Sequence, residues 1–158
     1  MKKLFFLTFL LTFFSFYGQN KLPNVSLKDI QGKTIFTKNF NEKDKLYIIS
    51  FWATWCAPCI HELDSFNDLY ENWKSKLNVE IAAISIDDSR TIKRVKPLVN
   101  GKGWEFNVLL DVNQDLKRAL GISNVPYLVV VKNGKIIHSQ SGFSPGSEEE
   151  LFHQLEKM

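Results

Sequence analysis

Apolar and polar positions alternate along this chain in blocks whose period changes from that of a strand to that of a helix and back several times. Leu46-Tyr47-Ile48-Ile49-Ser50-Phe51-Trp52 is nearly continuous in apolar residues, as a central strand buried on both faces must be. Beyond Pro58 the period becomes helical, with Ile60, Leu63, Phe66, Tyr70, Trp73 and Leu77 recurring on one side. Pro58 suits the first turn, where its missing N–H has no intrahelical partner. Val79 to Ile86 is a second buried strand, and Asp87-Asp88-Ser89 ends it with a turn and an N-cap for a helix running towards Lys96. Phe106 to Leu110 is a short strand. Asp111-Val112-Asn113-Gln114-Asp115 then opens like a calcium loop, but Leu116 stands where the turn glycine belongs and Ile122 where the closing glutamate belongs, so a helix start is expected.

The ends of the chain follow the same logic. Tyr127 to Lys132 and Lys135 to Gln140 flank Asn133-Gly134, the signature of a two-residue hairpin. Ser147-Glu148-Glu149-Glu150 reads as a capping box that starts a terminal helix with Leu151, Phe152 and Leu155 on its apolar side. Near the start, Asn24–Ile30 and Lys33–Phe36 around Gln31-Gly32 predict a small hairpin. The core order is β-α-β-α-β-α-β-β-α. Strands joined through helices are expected to be parallel and the last hairpin antiparallel, giving an α/β fold with a mixed sheet flanked by helices on both faces.

Charge and length narrow the setting. Lys2 and Lys3 precede an uncharged stretch from Leu4 to Tyr17, then Gly18-Gln19-Asn20, the layout of a secretory signal. Its 14 apolar-rich residues fall short of the about 20 a membrane span needs. Export with cleavage after Gly18 is expected, leaving 19–158 as one domain; bulky Phe16 keeps an uncleaved anchor open as the alternative. No cysteine stands where a lipoprotein would need one. Of 158 residues, 20 are Lys or Arg and 17 Asp or Glu; without residues 1–18 the balance is 18 against 17 in 140 residues. Near-neutrality makes no case for nucleic acid or an anionic surface.

Cys56 and Cys59 are the only cysteines and stand where the first buried strand gives way to a helix. A structural staple is a poor explanation, because closing about four residues contributes roughly 2 kcal/mol against nearly 5 for a loop of about 100. Zinc would need further ligands, and His61, His138 and His153 are scattered. A redox pair is the reading the context favours, with zinc or inert thiols as alternatives.

Phe51-Trp52-Ala53-Thr54-Trp55-Cys56-Ala57-Pro58-Cys59, followed by Val125-Pro126 at the opening of a strand, resembles the thioredoxin superfamily over nearly the whole mature chain. The signal, the Phe-Trp-Ala-Thr-Trp-Cys phrase and the extra strand-helix segment at 79–103 resemble its TlpA/ResA-like extracytoplasmic thiol-disulfide oxidoreductases. The resemblance implies a thioredoxin-like fold with an N-terminal hairpin extension, no cofactor and no metal. It implies attack by Cys56 on a client disulfide, resolution by Cys59, and a cis Pro126 that lets Val125 pair with an extended client. Trp55, Ala57 and Pro58 would complete the client-binding surface.

Proton handling departs from thioredoxin, whose buried aspartate six residues before the first cysteine is replaced by Ser50. The subgroup carries a glutamate where this chain has Glu62, which is therefore the candidate proton acceptor or donor for Cys59; a solvated helix glutamate is the alternative. His61 points away around the helix, and Tyr127 replaces the family's usual threonine. Ala57-Pro58 places no cation between the cysteines, so a reductase of exported proteins' disulfides, possible in cytochrome c maturation, is expected ahead of an oxidase or isomerase. Protein thiol or disulfide clients, a membrane thiol-reductant donor, a periplasmic location and a monomer complete the expectation. A peroxidase would need Thr-x-x-Cys, which Thr54-Trp55-Cys56 does not supply; a non-catalytic binding or metallochaperone module would usually lack the intact pair.

Overall fold

The computed structural model describes residues 20–158; the expected signal at 1–18 lies outside them. Seven strands form one sheet: β1 (Ser26–Asp29), β2 (Thr34–Phe36), β3 (Leu46–Trp52), β4 (Val79–Ser85), β5 (Asn107–Leu110), β6 (Tyr127–Lys132) and β7 (Lys135–Ser141). Their spatial order is β2-β1-β5-β4-β3-β6-β7. Among the described residues four α-helices connect or follow them: α1 (Ala57–Leu77), α2 (Val95–Lys102), α3 (Asp115–Ala119) and α4 (Ser147–Leu155). The long apolar runs take the middle of the sheet. Every residue of β3 is buried, which requires cover on both faces. Along α1 the helical stripe is buried through Leu63, Phe66, Tyr70 and Trp73. Trp73 meets Phe152 of α4 at 5.7 Å between rings, so these two helices share a face.

β3, β4 and β5 run parallel, as their helical connections predict. β6 does not. Although it follows α3, it lies antiparallel to β3, with Tyr127 opposite Phe51. The reason is length: five-residue α3 is too short to carry the chain back along the sheet, so β6 enters from the same end at which β5 leaves. The N-terminal hairpin forms with Lys28 opposite Thr34, and β1 adds to the edge of β5. Asn133 and Gly134 take φ of 52° and 71°, the left-handed pair a tight hairpin demands.

Two helix starts differ from expectation. The helix after Asp87-Asp88-Ser89 begins at Val95, preceded by a 3-10 turn at Ile92–Arg94, because Asp88 closes a local turn on the N–H of Arg90 instead. The capping box at Ser147 does not form either. Ser147 is already helical, Gly146 occupies the cap at φ 94°, and Glu148 accepts the Gly146 N–H at 3.0 Å. The start at 111–115 is as expected: buried Asp111 accepts the N–H groups of Asp115 and Lys117.

Candidate active site

β3 delivers the chain to a turn at 53–56, closed by the Cys56 N–H on the Ala53 carbonyl at 3.0 Å. Cys56 is the N-cap of α1 and Pro58 lies in its first turn, where no N–H is required. A cysteine at this point faces the unpaired N–H groups and positive end of the dipole of a 21-residue helix, which favour its thiolate. Cys56 and Cys59 are joined as a disulfide with Cα atoms 5.3 Å apart. Among the described residues no three His, Cys, Asp or Glu side chains come together around the pair.

The two sulfurs are not equivalent. Cys56 retains 6% exposure and Cys59 none, and the residues beside them, Trp55, Ala57 and Pro58, are exposed. Trp55 and Val125 face a common groove of about 390 Å³ with Ile86, Gln114, Lys117, Ser123 and Asn124. Val125–Pro126 is a cis peptide, and Pro126 is buried with its carbonyl accepting the Gly142 N–H at 2.9 Å. Of the sequence-derived site residues, Trp55 and Val125 therefore line one groove, Ala57 and Pro58 form the exposed first turn that follows Trp55, and Pro126, next to Val125, is buried.

Glu62 is not a solvated helix glutamate. It lies one turn beyond Cys59 on the same side of α1, 2% exposed, and accepts a hydrogen bond from the Ser50 hydroxyl of β3 at 2.6 Å. Burial disfavours its anionic form and pushes its pKa up from 4.5 to about 7, the Ser50 bond opposing part of that rise. Such a carboxyl gains or loses a proton near neutral pH, which is what a proton carrier for a thiol needs. Ser50 thus orients the acid. His61 is exposed, as its place on the helix predicts.

Asp87 was legible only as a turn residue. It is fully buried at the end of β4 and bonds the backbone N–H and hydroxyl of Thr54, two residues before Cys56. Nothing in its local sequence separates it from its exposed-side neighbour Asp88; only the parallel pairing of β3 with β4 brings it to the cysteine turn.

The sequence matches the AhpC/TSA family over residues 19–140. The chain belongs to this family. Among the relatives of this AhpC/TSA-family chain, thiol-disulfide oxidoreductase ResA of Bacillus thuringiensis is 34% identical over 137 residues, covering 86% of this chain and 75% of that protein. ResA of Bacillus subtilis is 31% identical over 121 residues, 76% of this chain and 65% of that protein. A thioredoxin-like protein from Porphyromonas gingivalis superposes with a TM-score of 0.75 at 43% identity, covering 86% of this chain and 90% of that one. A putative thiol:disulfide interchange protein DsbE from Chlorobium tepidum shares the fold at the same TM-score, 23% identity, and coverage of 85% and 92%. Thioredoxin-like fold, ResA relatives and a Cys56–Cys59 disulfide at a helix start make this AhpC/TSA-family member a thiol-disulfide oxidoreductase.

Proposed function

We propose that the protein reduces disulfides in exported proteins, with Cys56 as nucleophile, Cys59 as resolving thiol and Glu62 as proton carrier. The observation that carries this reading is the arrangement along the first turns of α1: Cys56 at the N-cap, 6% exposed between exposed Trp55 and Ala57, Cys59 wholly buried one turn on, and one turn further the buried Glu62, whose carboxyl burial pushes up to about 7. In the reduced state the Cys56 thiolate attacks a client disulfide; one client sulfur leaves as thiolate and a Cys56–client bond remains. Glu62 takes the Cys59 proton. Cys59 then attacks Cys56, the second client sulfur leaves, and two electrons have passed to the client as Cys56–Cys59 closes. Trp55, Ala57, Pro58 and Val125 receive the client, with Pro126 fixing the Val125 backbone for pairing. Exported proteins with disulfides are the clients this surface would receive, apocytochrome c among them. A membrane thiol donor restores the dithiol, and the protein works as a monomer.

Direction follows from what stabilises the thiolate. Ala57-Pro58 supplies no cation, leaving only the helix terminus and its N–H groups, so the reduced form gains little extra stability. The potential is expected near the about −270 mV of thioredoxin and far from the about −120 mV of a strong oxidant. Titration against dithiothreitol or glutathione buffers, read by the fluorescence of exposed Trp55, measures it; a value above about −150 mV would reverse the direction to oxidase.

Location rests on Lys2-Lys3 and the apolar stretch at 4–17. Export to the periplasm with removal of residues 1–18 places the new terminus at Gln19. Mass spectrometry of the native protein is expected to find it there; an intact Met1 on a membrane-bound product would select the anchor instead.

A further inference from the structure

The mechanism above leaves one buried ionisable group next to the cysteine turn without a task. Asp87 is 0% exposed, yet none of its hydrogen-bond partners is a cation. One carboxylate oxygen accepts the Thr54 N–H at 2.8 Å and the Ser85 hydroxyl at 2.9 Å; the other accepts the Thr54 hydroxyl at 2.6 Å. Its own N–H donates to the Ser85 hydroxyl oxygen at 3.1 Å. Burying a carboxylate among neutral donors is costly, and an apolar residue would fill the space more cheaply. A plain turn at the end of β4 does not need it, since the neighbouring Asp88 makes its turn at the surface.

We propose that Asp87 is a positioning residue: it clamps Thr54, and through Thr54 it holds the Cys56 sulfur against the N-terminus of α1. The connections run in one direction. β4 is locked between β3 and β5, with Trp52 opposite Ser85 and the Ser85 carbonyl accepting the Asp111 N–H at 2.8 Å. Asp87 projects from the end of that locked strand and grips both the backbone and the side chain of Thr54. Only Trp55, whose indole is 59% exposed, separates Thr54 from Cys56. The turn therefore has one strong anchor on its Cys56 side, and the Ala53–Cys56 bond that closes it depends on where Thr54 is held. With the clamp intact, the Cys56 sulfur is held at the N-cap of α1, where the helix dipole and the unpaired first-turn N–H groups favour its thiolate; with the clamp loosened, the sulfur moves off that position and the thiolate loses stabilisation.

This inference rests on Cys56 being the reactive thiol, and its test reads that thiol directly. The reduced protein is alkylated with iodoacetamide across pH, and modification of Cys56 is followed by peptide mass spectrometry. Thr54→Val removes the hydroxyl and keeps the N–H bond; Thr54→Ser keeps both. Thr54→Val is expected to raise the pH midpoint for Cys56 and slow its alkylation at pH 7 by about threefold or more, within what one lost hydrogen bond to a charged group can do. Thr54→Ser is expected to restore the wild-type midpoint. The titratable groups around the pair, Asp87 at the end of β4, Glu62 on α1 and Lys117 across the groove, are unchanged in the Thr54 variants, as is exposed His61, so the shift reports geometry. General loosening would act oppositely, exposing Cys59 and speeding its modification. Thr54→Val against Thr54→Ser decides, because the pair changes the Thr54 hydroxyl bond to Asp87 and no charge. A folded Thr54→Val protein with the wild-type Cys56 profile overturns the proposal; slow alkylation of Cys56 in the wild type would instead remove the nucleophile assignment on which it rests.

Discussion

Cys56→Ser is expected to lose protein-disulfide reduction to background, a drop on the order of 1,000-fold or more, with the fold intact. The step that disappears is formation of the first S–S bond to the client, which a hydroxyl cannot make. Cys59→Ser should behave differently, attacking normally and then stopping at the mixed disulfide, because the thiol that releases the client is gone. Both variants lack the Cys56–Cys59 bond, but that bond closes too short a loop to dominate stability, so each is expected to fold. In the reduced wild type, Cys56 should also be alkylated before Cys59, which is wholly buried. Assay of insulin reduction with dithiothreitol as donor, with circular dichroism as the folding control, separates the three proteins. Substantial turnover by Cys56→Ser would remove the nucleophile from the account.

Glu62→Gln should be less active and more stable, and the two effects come from the same property. Because the folded-state pKa of Glu62 is raised from 4.5 to about 7, the native protein binds its proton more tightly than the unfolded chain does. Stability is then highest below the unfolded value and falls as pH climbs through the window from 4.5 to about 7. The full loss, reached at higher pH, is about 3 kcal/mol. Glutamine can accept the Ser50 hydrogen bond without carrying charge, so Glu62→Gln should match the wild type near pH 4 and exceed it by up to about 3 kcal/mol at pH 8. Urea denaturation of the oxidised proteins at the two pH values measures this. In thiol-disulfide exchange the same variant should slow the resolving step by about 100-fold, the low end of what a positioned proton carrier contributes, and lose the inflection near pH 7. Superimposable stability and rate profiles would return Glu62 to a purely structural role.

Most of the frame was legible because burial on both faces leaves an unmistakable pattern. β3 and β4 are continuous apolar runs, α1 carries a regular stripe, and Asn133-Gly134 can serve few purposes other than a tight hairpin. The direction of β6 was not legible, since periodicity reports that a strand is buried but not from which end the chain enters it. Nor was the pairing of β1 with β5, which joins segments about 80 residues apart with nothing local to announce it. At the site, the spacing of Cys56 and Cys59 and the resemblance around them pointed to the chemistry, and the resemblance together with its place on the helix made Glu62 a candidate. Its burial did not follow, because Ser50 lies opposite it only once α1 folds onto β3. Asp87 was read as a turn for the same reason. Its role depends on Thr54, 33 positions away, and a charged residue at a strand end ordinarily faces water.

The central claim is that Cys56 carries electrons to a client through a covalent intermediate that Cys59 resolves. It is tested most directly by incubating reduced Cys59→Ser with insulin, quenching with acid, and locating any protein–insulin disulfide by mass spectrometry under non-reducing conditions. The account predicts a stable adduct through Cys56 that dithiothreitol releases, and none when wild-type protein is treated identically, since Cys59 clears it. An adduct that accumulates equally on the wild type, or its absence from Cys59→Ser while insulin is still reduced, would contradict it.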